Sequence, residues 1–101
     1  MKLIDVTNSH PRLVQKQLES TDAQFIKVYS LGKTTVIFTD APQHTEILLV
    51  NKLRNIQSTE VEFVKEYFKR NFKLVLPGND IEVIHMDGAV ELSLKKDLLT
   101  N

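Results

Sequence analysis

Apolar residues recur along this chain in two different periods, and the places where one period gives way to the other mark its elements. "KLIDV" at the start is a short strand. The stretch "PRLVQKQLES" then predicts a helix over 11–20, with Val14 and Leu18 four apart and Leu13 widening the stripe. Pro11 suits the first helical position, where its missing N–H would have been unpaired anyway. "AQFIKVYSLGKTTVIFTDAPQHTEILLV" reads as three successive strands rich in Ile, Val, Phe, Tyr and Thr, broken at Gly32-Lys33 and at "DAPQ". "STEVEFVKEYFKRNF" returns to helical spacing, with Val61, Val64, Phe68 and Phe72 on one face and Phe63 and Tyr67 broadening it. Thr59 and Glu62 have the spacing of a capping box, and Glu66 stands one turn before Arg70. Beyond the helix, "KLVL" is a strand of buried type and "PGND" a turn. "IEVIHMDGAVELSLKK" is a hairpin about Asp87-Gly88, because both positions of such a turn need positive φ. That register sets Met86 opposite Ala89, His85 opposite Val90 and Val83 opposite Leu92.

The resulting order is β-α-β-β-β-α-β-β-β: one α/β (α+β) domain over 1–101, with a mixed sheet of six to seven strands and two helices. "ILLV" and "KLVL" are apolar at consecutive positions, as strands covered on both faces are. Two helices on opposite faces, giving three layers, would supply that cover. So would one helical layer and a dimer interface, and the sequence leaves both open.

Composition narrows the function classes. The 13 basic and 13 acidic side chains balance and alternate without blocks, whereas phosphate neutralisation calls for a basic footprint, so no nucleic-acid partner is expected. The absence of cysteine removes disulfides, thiol catalysis and thiolate metal sites together, and fits a cytoplasmic address. The amino end lacks the apolar run of a signal peptide, and "ILLV" falls far short of a membrane span.

Three places invite chemistry. "DVTNSHPRL" follows a strand and opens a helix, where free N–H groups gather, and Asn8, Ser9, His10 and Arg12 could add donors to a phosphate or carboxylate. Asp5 and the lack of glycines oppose an anion there, and capping by Asn8 or Ser9 accounts for most of the stretch. In "DAPQHTE", a turn at 41–43 would set Asp40 opposite His44, with Glu46 on the same strand face, lining three ligand types along one hairpin end. Such ends are usually polar for solubility alone. "SLGKTT" has the tail of a phosphate-binding loop but carries Lys27 where the motif's first glycine belongs. His85, on the apolar face of its hairpin, is expected as a packed residue rather than a ligand. No cofactor and no metal is implied.

The element order αβββαβ from the first helix is similar to the core of restriction-endonuclease-like nucleases. Asp40 and Glu46 would stand in for that family's acids, but Leu48 occupies the place its lysine requires. The whole chain, from "LIDVTNSH" through "EVEFVKEYFKR" to "HMDGAVEL", resembles a small family of uncharacterised proteins from lactic-acid bacteria. That resemblance implies a compact α/β fold and a bacterial cytoplasmic protein, and brings no site residues. The expectation is a non-enzymatic interaction or regulatory module that self-associates or meets a protein partner. The alternative is a small enzyme or anion binder using Asn8–Arg12 with Asp40 and His44.

Overall fold

The computed structural model describes residues 1–71 and 81–95; the expected strand at 73–76, the turn at 77–80 and Phe72 lie outside them. In chain order the elements are β1 (Ile4–Asp5), α1 (Pro11–Ser20), β2 (Phe25–Leu31), β3 (Thr34–Asp40), β4 (His44–Val50), α2 (Ser58–Asn71), β5 (Ile81–Met86) and β6 (Ala89–Lys95), with a 3-10 turn at Thr7–Ser9 before α1. The six strands form one sheet in the order β1-β2-β3-β4-β6-β5. All described pairings are antiparallel, so the expected mixed sheet is antiparallel throughout these residues. Tight turns join β2 to β3, β3 to β4 and β5 to β6, and strands joined so closely can pair only that way.

Two of these turns rest on glycine. Gly32 (φ 60°) closes Leu31 onto Thr34, and Gly88 (φ 73°) closes Met86 onto Ala89. The β5–β6 register follows the Asp87-Gly88 expectation, with His85 opposite Val90 and Val83 opposite Leu92. The β3–β4 hairpin differs by one residue. The Ala41 N–H donates to the His44 carbonyl at 2.9 Å, leaving Pro42-Gln43 as the tip and pairing Asp40 with Thr45 instead of His44. Proline occupies a tip without loss because no N–H is needed there.

One sheet face and α2 enclose the main core of Tyr29, Leu31, Val36, Phe38, Ile47, Leu49, Val90 and Leu92 with Val61, Val64 and Phe68. Phe68 stacks on Phe38 with centroids 4.9 Å apart and planes 4° from parallel, and meets Tyr29 edge-on at 5.6 Å. Ring pairs of this kind add about 1 kcal/mol beyond burial. On the outer face α1 packs against β2, above the buried side chains of Ile26, Val28 and Ile37. The helices thus lie on opposite faces, and the architecture is three-layered. Leu13 and Val14 face inward as expected, but Leu18 is exposed and Gln17 takes the next inward position. The Gln17 carbonyl accepts the Thr21 hydroxyl at 2.7 Å, which ends the helix.

α2 is also capped differently from expectation. Its cap is Gln57, whose carbonyl accepts the N–H groups of Glu60 and Val61, while the Glu60 carboxylate reaches back to the Gln57 N–H at 3.0 Å. This is the returning half of a capping box, two residues before the Thr59/Glu62 pair, both of which are exposed. Glu66 pairs with Lys69 at 3.7 Å, across three residues rather than four. His85 is exposed: β5 is the outermost of the described strands, and the core enclosed by α2 stops at β6.

Candidate functional site

At the β1–α1 junction the polar residues mostly serve the backbone. Asp5 Oδ1 accepts the Thr7 N–H at 2.9 Å and the Thr7 hydroxyl at 2.6 Å, and Oδ2 meets Lys27 Nζ at 3.2 Å. The Thr7 hydroxyl, then its N–H, then Lys27 hold the Asp5 carboxyl at about 2. Thr7 Oγ1 in turn accepts the Val28 N–H at 3.0 Å, tying the turn to β2. His10 Nδ1 lies 3.1 Å from the Val6 carbonyl and so carries the donor proton. No side chain caps α1. Ser9 and His10 donate their N–H groups to the Val6 and Thr7 carbonyls, which leaves Asn8 and Ser9 exposed without a capping role. The 3-10 turn thus does the work expected of a side-chain cap. Arg12 is exposed on the first turn of the helix.

The second predicted cluster is divided by the sheet. His44 and Glu46 share the outer face, their Nε2 and Oε1 atoms 3.0 Å apart. Asp40, paired with Thr45, points to the α2 side and accepts the Thr45 hydroxyl at 3.1 Å. The one-residue change of register at the turn causes this separation, since successive strand residues face opposite ways. His44 and Glu46 line a depression of about 630 Å³ whose other wall is the end of α1, Glu19 to Asp22. Asn8, Ser9, His10, Arg12 and Asp40 are not among its lining residues. No three His, Asp or Glu side chains among the described residues are placed to hold a metal ion.

Sequence reading missed two features at the opposite end of the sheet, where β4 ends and β5 turns into β6. The first is a buried polar network. Thr34 Oγ1 donates to Glu60 Oε2 at 2.7 Å and accepts the Asn51 side-chain amide at 3.1 Å. Arg54 grips the same carboxylate with both terminal nitrogens, at 2.8 and 3.1 Å. Asn51 Oδ1 accepts the N–H groups of Leu53 and Arg54, and the Asn51 N–H donates to the Gly88 carbonyl. Arg54 above all, then the Gln57 N–H and Thr34, hold the Glu60 carboxyl at about 2 against the cost of burial. Every buried polar side-chain atom among the described residues is satisfied, as a buried network must be to avoid a net penalty.

The second feature is an apolar patch on the outer sheet face. Leu48, Val50, Ile84 and Ala89 are half-buried and Met86 is 47% exposed. The register sets Val50, Ala89 and Met86 in one row across three strands, with Leu48 and Ile84 in the next row, flanking Glu91. Its signal is present in "IEVIHM", where Ile84 and Met86 alternate with Val83 and His85 and so fall on the opposite face of the strand.

A family model described as a domain of unknown function (DUF1827) matches residues 1–95. No curated protein matches the chain. A crystal structure of a conserved protein of unknown function from Streptococcus thermophilus is similar to it, at 39% identity over 97% of this chain and 99% of that one, with a TM-score of 0.88. The resemblance to a small uncharacterised family of lactic-acid bacteria is thereby borne out.

Proposed function

The chain belongs to the DUF1827 family, and from that premise we propose that it is a non-enzymatic interaction module of the bacterial cytoplasm that works by self-association. The observation that carries this reading is the apolar patch of Leu48, Val50, Ile84, Met86 and Ala89 on the outer face, which wraps around Glu91 and has Glu46 and Ser93 along its border. Contiguous apolar surface with a polar margin is the usual mark of a protein contact. The polar groups of the junction support the same reading from the other side. Asp5, Thr7 and His10 are engaged in local hydrogen bonds, and Asp40 lies across the sheet from His44. A ligand site would gather convergent polar groups into one concavity.

Sedimentation at micromolar concentration tests the proposal, with a concentration-dependent dimer as the expected result. A species that stays monomeric throughout that range would refute self-association. Millimolar phosphate, sulfate or nucleotide should leave the melting temperature unmoved beyond general salt effects, because a specific ligand must stabilise the fold it binds. A saturable shift abolished by His10→Ala and Arg12→Ala would replace this reading with anion binding at the junction.

A further inference from the structure

We infer that two copies meet about a two-fold axis at the upper rim of the outer face, with Leu53 of each packed on Met86 of the other and Lys52 of each opposite the partner's Asp87. The inference rests on the self-association proposed above and names the surface that performs it. Leu53 is 77% exposed, the most exposed large apolar side chain among the described residues. Its backbone is also held in place. Asn51 Oδ1 accepts the Leu53 N–H at 2.8 Å, and Asn51 itself is anchored to Thr34 at 3.1 Å and to the Gly88 carbonyl at 3.2 Å. Asn51 therefore ties the Lys52–Arg54 loop, through its side-chain oxygen, to the Asp87-Gly88 turn, through its backbone N–H. An apolar side chain carried on a backbone fixed in advance has no loop to order on binding, and so gives up less freedom when a contact forms.

The loop and the turn border one depression of about 470 Å³, which Val50 also lines. On one side stand Leu53 and Lys52, and on the other Asp87, preceded in the chain by Met86. An isologous contact must be complementary to itself, and this rim is. A two-fold axis through the depression exchanges its sides, bringing leucine to methionine and cation to acid at both ends. Lys52 and Asp87 are both exposed. A partner of a single charge sign would satisfy one of these groups and oppose the other, whereas a second copy satisfies both. The balanced total of 13 basic and 13 acidic side chains leaves no long-range repulsion between copies.

Sedimentation of the full chain at low salt decides the matter. Lys52→Glu and Asp87→Lys should each raise the dissociation constant of the dimer at least about tenfold, since like charges then face each other. An equimolar mixture of these two variants should recover dimer, because each copy then presents only opposite charges to the other. Leu53→Ser should weaken the dimer while leaving unchanged the melting temperature of the dilute monomer. Asp87→Asn, which keeps a residue suited to the turn before Gly88, should weaken it without disturbing the hairpin. A wild-type dimer unaffected by Lys52→Glu and Leu53→Ser would place the contact elsewhere and overturn this inference while self-association stands. Variants that dissociate singly and stay apart when mixed would overturn the two-fold pairing. A wild-type monomer would overturn both readings.

Discussion

Replacing Glu60 by glutamine is the most direct probe of how the loop between β4 and α2 is held. The carboxylate is almost fully buried, at 3% residue exposure, and accepts from Arg54, Thr34 and the Gln57 N–H. Its folded pKa of about 2 against an ordinary 4.5 corresponds to about 3 kcal/mol of preference for the charged form. Removing one partner of a buried pair costs about 3–5 kcal/mol when the other charge is stranded. Arg54 is 41% exposed and recovers water when the carboxylate is lost, so the expected cost of Glu60→Gln at neutral pH is about 2–3 kcal/mol. Because the folded pKa lies below the unfolded one, this stabilisation is fully present above about 4.5 and is lost as pH falls toward about 2. Urea unfolding of wild type and variant at pH 7 and pH 3 measures it. Taking the difference between the two proteins cancels the parallel titration of Asp5, which also sits at about 2. The gap in unfolding free energy should narrow at the lower pH. A gap under about 0.5 kcal/mol at pH 7, within the range of ordinary surface changes, or one independent of pH, would refute the account of the network.

Other substitutions test other parts of the fold by the same unfolding assay. Phe68→Ala empties the centre of the aromatic cluster around Phe38, Tyr29 and Tyr67 and should cost about 3–5 kcal/mol. Thr59→Ala should change stability by less than about 0.5 kcal/mol, because Thr59 is exposed inside the first turn and Gln57 holds the cap. Thr7→Val leaves the buried Val28 N–H without its acceptor and should cost about 1–3 kcal/mol. It should also return the Asp5 carboxyl toward its ordinary 3.8, readable by NMR titration, since the Thr7 hydroxyl is the main cause of its depression.

Local pattern was enough to find most of this fold. The period of 3.6 in "VEFVKEYF" marks which residues α2 buries, and Val61, Val64 and Phe68 are the ones that enter the core. Pro11 and Ser20 bound α1 at the expected residues. The Asp87-Gly88 pair sets the β5–β6 register, because a two-residue turn with positive φ leaves a single way to pair. These features depend on residues within a few positions of one another, and such interactions are legible in a linear sequence.

Tertiary structure decided what depends on distant residues. Whether Asp40 could join His44 hung on a single residue of register, set by one hydrogen bond across the Pro42-Gln43 tip. His85 lies on the expected face yet is exposed, because burial depends on how far α2 extends over the sheet and not on the strand's own alternation. Glu60 reads in sequence as one more charge on a helical surface. It becomes the buried centre of a network only when Thr34 and Asn51, 26 and 9 residues away along the chain, are brought beside it by the pairing of β3 with β4. The outer apolar patch arises in the same way. Val50, Ala89 and Met86 are unremarkable singly, and only the strand order β4-β6-β5 sets them in a row. Sequence fixes which residues can be apolar neighbours within an element; the order of strands decides which of them meet, because that order is chosen by the burial of the whole sheet.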